Sequence, residues 1–162
     1  MTEKRRVLGF LQNAWSPKYA GKEWPREQWL NALAASRSGQ RLATLTILCP
    51  NLEFCWENTT PIVGAHPDSR IPADPVHMMA LVGVHNPHMI LAFGNQAHYT
   101  IRVKLPALLI AKPLIFLPHP AYRVLTNKLL AAVARRINEG FQGLLEFRQR
   151  RRRFHCIHTI EP

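Results

Sequence analysis

Three short apolar runs, at residues 7–11, 89–93 and 114–117, restrict what this chain can fold into more than any other feature. They are too short for core helices and lack the polar alternation of a half-solvated strand. Each therefore reads as a strand covered on both faces, the kind that builds parallel sheets. Patterns of helical period separate them. Residues 26–37 place Trp29, Leu30, Leu33 and Ala34 on one face behind Pro25, a residue suited to a first helical turn, and Ser38-Gly39 is expected to stop that helix. Asp74-Pro75 supplies a carboxylate cap and a proline for a helix over 76–85, which Asn86-Pro87 ends. Residues 122–138 carry Leu125, Leu129, Leu130, Val133 and Ile137 on one side of a further helix. Strands alternating with helices predict a parallel, doubly wound α/β domain.

Other segments carry less information. Residues 41–48 leave their element open, because Leu42, Leu45 and Leu48 favour a helix while Thr44, Thr46 and Ile47 favour a strand. Residues 54–56 and 59–63 read as extended, 64–72 as a loop and 94–97 as a glycine turn. Residues 100–105 alternate like a minor strand, and 106–113 read as a connection. No repeat or internal boundary is evident. The 162 residues suit one domain over 1–147, followed by a basic tail over 148–162.

Polar side chains follow the first and last runs directly: Gln12 and Asn13 after residue 11, and His119 in Pro118-His119-Pro120 after residue 117. In open α/β sheets the crevice beyond the carboxyl ends of the strands is where ligands bind. An amide and an imidazole from distant parts of the chain are thus expected to meet in one crevice.

Lys and Arg number 21 against 10 Asp and Glu, a net charge of +11, which favours a polyanionic partner and nucleic acid above all. An anionic membrane surface is the weaker candidate without a long amphipathic basic helix, and no apolar stretch reaches the ~20 residues of a membrane span. With no signal-peptide pattern at the start, the expectation is a soluble, cytoplasmic monomer. The three cysteines, Cys49, Cys55 and Cys156, suggest no disulfide framework. His85-x-x-His88 and Cys156-x-His158 lack the second matched pair of a structural zinc site, so no metal is expected.

The order of these motifs resembles the uracil-DNA glycosylase superfamily. One branch of that family follows its first strand with Gly-Gln-Asp-Pro-Tyr-His, and others with Gly-x-Asn-Pro-Gly/Ser. Here the stretch reads Leu11-Gln12-Asn13-Ala14-Trp15-Ser16. Asn58 in Trp56-Glu57-Asn58-Thr59 resembles the family's second-strand asparagine. Phe93-Gly94-Asn95-Gln96-Ala97 resembles the turn of a later strand, and His119-Pro120-Ala121 the final His-Pro-Ser motif. The likeness spans residues 6–137 and implies a three-layer α/β/α fold with a mainly parallel four-stranded central sheet. Leu11 replaces a glycine, Ala14 a proline and Ala121 a serine, and no carboxylate stands at position 13. These departures imply an altered base preference, slower chemistry or lost activity.

The resemblance implies hydrolysis of an N-glycosidic bond in DNA, single- or double-stranded, after the base has been flipped, with no cofactor. The departing base gathers negative charge, which His119 would stabilise by donating a hydrogen bond. Asn13 would orient the attacking water through its carbonyl, although an amide takes no proton near neutral pH. Asn58 would read a pyrimidine edge, Trp15 would stack on or wall off the base, and Gln12, Gly94 and Asn95 would frame the pocket. Tyr122 or Arg123 would enter the duplex and fill the gap left behind. The tail's Arg148, Arg150, Arg151, Arg152 and Arg153 suit phosphate contacts. Two rivals stand beside this reading: a non-catalytic nucleic-acid-binding module, and an enzyme that modifies bases or nucleotides on the same scaffold.

Overall fold

The computed structural model describes the backbone of residues 4–121, 123 and 125–155, with side chains as far as residue 142. Four strands, β1 (Arg5–Leu11), β2 (Leu52–Asn58), β3 (Met89–Phe93) and β4 (Leu114–Leu117), form one sheet in the order β2-β1-β3-β4. All three strand pairings are parallel. The chain leaves β1 toward β2 on one side, then crosses to β3 on the other. The crevice between the carboxyl ends of β1 and β3 is therefore the topological switch point of the sheet.

Alternation along the strands sends side chains to two layers. Val7 and Leu11 of β1, with Met89, Leu91 and Phe93 of β3, pack under α1 (Arg26–Ala35), α2 (Arg37–Leu48) and α6 (Asn127–His155). Leu8 and Phe10, with Ile90 and Ala92, pack under α3 (Pro75–His85), α4 (Gly94–Tyr99) and α5 (Pro106–Ala111). This is the three-layer α/β/α arrangement, with the sheet apolar on both faces.

Several local expectations are corrected. Ser38-Gly39 does not stop a helix. The break between α1 and α2 falls at Ser36, whose Oγ accepts from the Gly39 N–H at 3.0 Å and caps α2. Residues 41–48 are helical: the Thr44 and Thr46 hydroxyls donate to the Gln40 and Leu42 carbonyls one turn back, which removes the case for a strand. Of residues 59–63, only Ile62 and Val63 make bridges, with the segment after β1, and they form no named strand. Residues 100–104 are no strand but a π-turn continuing α4, closed by the Leu105 N–H donating to the Thr100 carbonyl. Its alternation is misleading because Ile101 is buried while Val103 faces solvent. The connection 106–113 contains α5, and the glycine turn at 94–97 is the start of α4. The last helix begins at Asn127 rather than 122, with the Thr126 hydroxyl accepting from the Leu129 N–H, and it continues through the 147/148 boundary to His155.

Asp74 caps α3 as expected, its Oδ1 accepting from the Val76 and His77 N–H groups. At the free edge of β2, the buried Glu57 holds two helices together. Its Oε1 accepts from Arg26 Nη2 at 2.7 Å and lies 2.8 Å from His85 Nε2, so α1 and α3 are joined around the sheet. No helix among the described residues is long and apolar enough to cross a membrane.

Candidate functional site

A cavity of about 680 Å³ opens beyond the carboxyl ends of the strands. Gln12, Asn13 and Trp15 enter it from the end of β1, Asn58 from the end of β2 and His119 from the segment after β4. The topology explains the convergence: parallel strands deliver all their exits to one side of the sheet. Trp24 and Trp29 add aromatic wall, and Ser36 and Ser38 bring the first turn of α2. Asp68, Ser69 and Arg70 also line it.

The loop after β1 is stitched to the segment after β2. The Ser16 N–H donates to the Gly64 carbonyl at 2.8 Å, and the Gly64 N–H donates to the Ala14 carbonyl at 2.9 Å. Gly64 is required here by close approach. A Cβ at this position would lie 2.4 Å from the Ser69 Cβ and 3.2 Å from Asn13 Nδ2. The turn at 66–69 and Asn13 therefore pack across a bare backbone.

Asn13 Nδ2 donates to the Ala14 carbonyl at 3.2 Å, while its Oδ1 is sealed from solvent and receives no hydrogen bond. A buried carbonyl left without a donor costs about 1–3 kcal/mol. As the side chain stands, its carbonyl is closed to the cavity's water and does not hold a nucleophile. Asn58 has a structural task. In the amide orientation its neighbours require, its Nδ2 donates to the Gln12 carbonyl at 2.8 Å and its Oδ1 accepts from Trp29 Nε1 at 3.2 Å. One donor and one acceptor of the amide thus fix the end of β1 and the tryptophan wall.

His119 is held from its own loop. The Ala121 N–H donates to Nδ1 at 3.2 Å, which makes Nδ1 the acceptor and places the proton of the neutral ring on Nε2. Burial pushes its pKa below the ordinary value near 6.5, so the ring is neutral at physiological pH. Arg41 of α2 donates to the Pro120 carbonyl and pins the loop. Gly94, with φ +79°, lies directly behind the site, within van der Waals reach of His119 and Gln12.

The structure does not bring every expected residue to the cavity. Gly94 backs it without lining it, and Asn95 is exposed on the first turn of α4 and lines no part of it. Arg123 is exposed, while Tyr122 lies outside the described residues. The side chains of Arg148, Arg150, Arg151, Arg152 and Arg153 also lie outside them, although their backbone belongs to α6. Trp15 is 48% exposed, so it stands at the rim as an accessible face rather than as core.

Sequence reasoning missed Asp68, Arg70, Trp24, Trp29, Ser36, Ser38 and His98. Pro67-Asp68-Ser69 signals only a turn, and nothing in it reports which wall the turn faces. His98 belongs to no motif. Its Nε2 lies between the carbonyls of Ala92, at 2.9 Å, and Leu117, at 3.0 Å, so it donates to both and ties the ends of β3 and β4 together. Among the described residues, no three His, Cys, Asp or Glu side chains gather as a metal ion would require.

Fold and cavity together define a class: a doubly wound α/β protein with a polar and aromatic cleft at its switch point. Compared with known proteins, the chain matches no family model and no curated sequence.

Proposed function

We propose that this protein is a DNA glycosylase-like hydrolase of the uracil-DNA glycosylase type, which draws one pyrimidine base out of the stack and cleaves its N-glycosidic bond. The observation that carries this reading is the meeting of Gln12, Asn13, Trp15, Asn58 and His119 in one cleft, from the ends of three parallel strands. The cleft has aromatic walls for a flat heterocycle and polar groups for its edge, the combination a flipped base requires. His119, neutral and protonated on Nε2, donates to a base carbonyl as negative charge develops there. The unsatisfied Asn13 carbonyl offers an acceptor to a base N–H once the side chain turns into the cleft. Asn58 acts through Gln12 and Trp29, whose positions it sets. A net charge of +11 supports a nucleic-acid partner.

The test is release of free base from single- and double-stranded oligonucleotides carrying uracil, a thymine mismatch or 5-modified pyrimidines. His119→Ala should lower the rate of release by ~100-fold or more, the usual effect of losing one donor to a developing anion. A second reading, a binding module without turnover, is favoured by the sealed Asn13 carbonyl. It predicts salt-sensitive binding with no free base and an unchanged oligonucleotide mass.

A further inference from the structure

The cleft is larger than one base. At about 680 Å³ it falls in the range of pockets that enclose a whole drug-sized ligand, and a single pyrimidine ring fills only part of it. Its tryptophans stand at different depths. Trp29 is buried, and its indole N–H is taken by Asn58. Trp24 is half-buried and backed by Tyr19, the two rings stacking at 5.2 Å with 24° between their planes. Tyr19 is braced in turn: its hydroxyl donates to Gln28 Oε1, and Lys18 Nζ lies 5.1 Å from its ring centre. These rings make an inner wall for one flat base.

Trp15 differs from them. It lines the same cleft, yet it is 48% exposed and meets no other ring among the described residues. An indole left half in water forgoes one of the larger burial gains a side chain can make. A loose loop is not the reason. The Gly64 N–H donates to the Ala14 carbonyl and the Ser16 N–H to the Gly64 carbonyl, so the backbone on both sides of Trp15 is tied to one residue. The loop is tied again farther on, where the Gly21 N–H donates to the Val63 carbonyl at 2.9 Å and the Val63 N–H to the Lys22 carbonyl at 3.0 Å. A ring carried on a fixed backbone gives up little freedom when a ligand settles on it. Charge is suited to the same ligand. Lys18 and Lys22 are exposed on this loop and outweigh Glu23, while Arg70 offsets Asp68 in the lining. Accessible aromatic faces beside cations are the chemistry that holds an unpaired strand, with bases stacking and phosphates meeting lysines.

We infer that Trp15 is a stacking platform for the base next to the one drawn into the cleft, and that the strand bound there is unpaired DNA. The inference rests on the reading of the cleft as a base pocket, but not on turnover. Magnitudes select the partner. In a single strand the neighbouring base is free to turn onto the indole, and one base–aromatic stack typically tightens binding by ~5- to 150-fold. In a duplex that base is paired and covered on both faces. Offering a face to Trp15 then means disrupting a second pair, which costs about as much as the stack returns. Trp15 thus adds affinity for single strands and little for duplex.

The test is fluorescence anisotropy with one uracil-bearing DNA oligonucleotide, single-stranded and annealed to its complement, for the wild-type chain, Trp15→Ala and Trp15→Phe. Trp15→Ala should weaken single-strand binding by ~5- to 150-fold and leave duplex binding nearly unchanged. Trp15→Phe keeps an aromatic face and should recover part of the loss. An abasic residue is then placed on each side of the uracil in turn. On one side it should weaken binding by the wild type and remove the effect of Trp15→Ala. Equal weakening on single strand and duplex, no weakening, or an effect that survives both abasic replacements overturns the role of Trp15. Release of free base by the wild type is followed in the same samples. Base release together with wild-type binding by Trp15→Ala leaves the hydrolase reading standing and removes the platform. No base release, with single-strand binding that depends on Trp15, removes the hydrolase reading and keeps the platform.

Discussion

His98 Nε2 donates to the Leu117 carbonyl at 3.0 Å, two residues before His119. The same nitrogen donates to Ala92 at the end of β3, and the ring meets Phe116 edge-on. One imidazole thus fixes how the chain leaves β4 and, through that, where His119 stands.

Replacing this ring should be felt in both stability and activity. His98→Ala deprives two strand-end carbonyls of a shared donor, a loss of about 1–3 kcal/mol. For a chain of this size that is a fall of roughly 2–12 °C in Tm, checked by thermal denaturation. Base release by the folded variant should drop as well. Unchanged stability would remove the tie between β3 and β4 assigned to His98.

Stability should decline toward acid partly because of His119. Burial lowers its folded-state pKa below the ordinary value near 6.5, so the unfolded chain binds more protons than the folded one as pH falls. Its contribution is complete above the ordinary value and is lost as pH drops from there toward the lowered folded value. Urea denaturation of His119→Gln across this range should show a shallower loss of stability than the wild type. Parallel curves would mean that burial of this ring costs nothing on protonation.

Gly64→Ala should disturb the cleft without touching a polar group. The new methyl would meet Ser69 at 2.4 Å, so the 66–69 turn must move away from Asn13. Overpacking of this kind costs about 1–3 kcal/mol, readable as a lowered urea midpoint. Since this turn lines the cleft, the rate of base release should fall as well. A variant with wild-type midpoint and rate would show that the approach across Gly64 is not tight.

Binding to single- or double-stranded DNA should weaken steeply with salt, with a log–log slope of about −0.9 per phosphate neutralised on duplex and about −0.7 on a single strand. Replacing Arg148, Arg150, Arg151, Arg152 and Arg153 together by glutamine should flatten that slope by several units while the rate at saturation is kept. A slope equal to that of the wild type would place the phosphate contacts elsewhere on the molecule.

β1, β3 and β4 were legible in the sequence because each carries a short apolar run, a pattern that a doubly covered sheet explains, whereas β2, with Glu53 and Glu57 in it, was read only as an extended stretch over 54–56. The ends of β1 and β4 were legible for a related reason: once a parallel sheet is granted, residues just past its strands must share one side, while Asn58 at the end of β2 was picked out by the resemblance alone. Local chemistry was harder to read. Ser36 ends α1 and begins α2 in a single residue, and the better-known stop signal at Ser38-Gly39 pointed two residues too far. Residues 100–104 alternate as a strand would, yet no sheet edge accepts them and they wind as a π-turn. Within the cleft, Asp68 and Trp24 were invisible because their places depend on loops folding back on the body of the protein, and Trp29 was read only as part of the apolar face of α1. The partners that occupy Asn58 are likewise a matter of three-dimensional contact, with no local pattern to announce them.

The order β2-β1-β3-β4 has a consequence for how the molecule is made. Of the four strands, the first to be synthesised is an interior one, and its second neighbour is not made until residue 89. Until then a nascent chain exposes an open, apolar strand edge that invites pairing with other polypeptides. The wall bearing His119 arrives later still. A truncated product ending before that point would hold most of the sheet and no complete pocket, so this protein cannot be inherited or engineered as a working half.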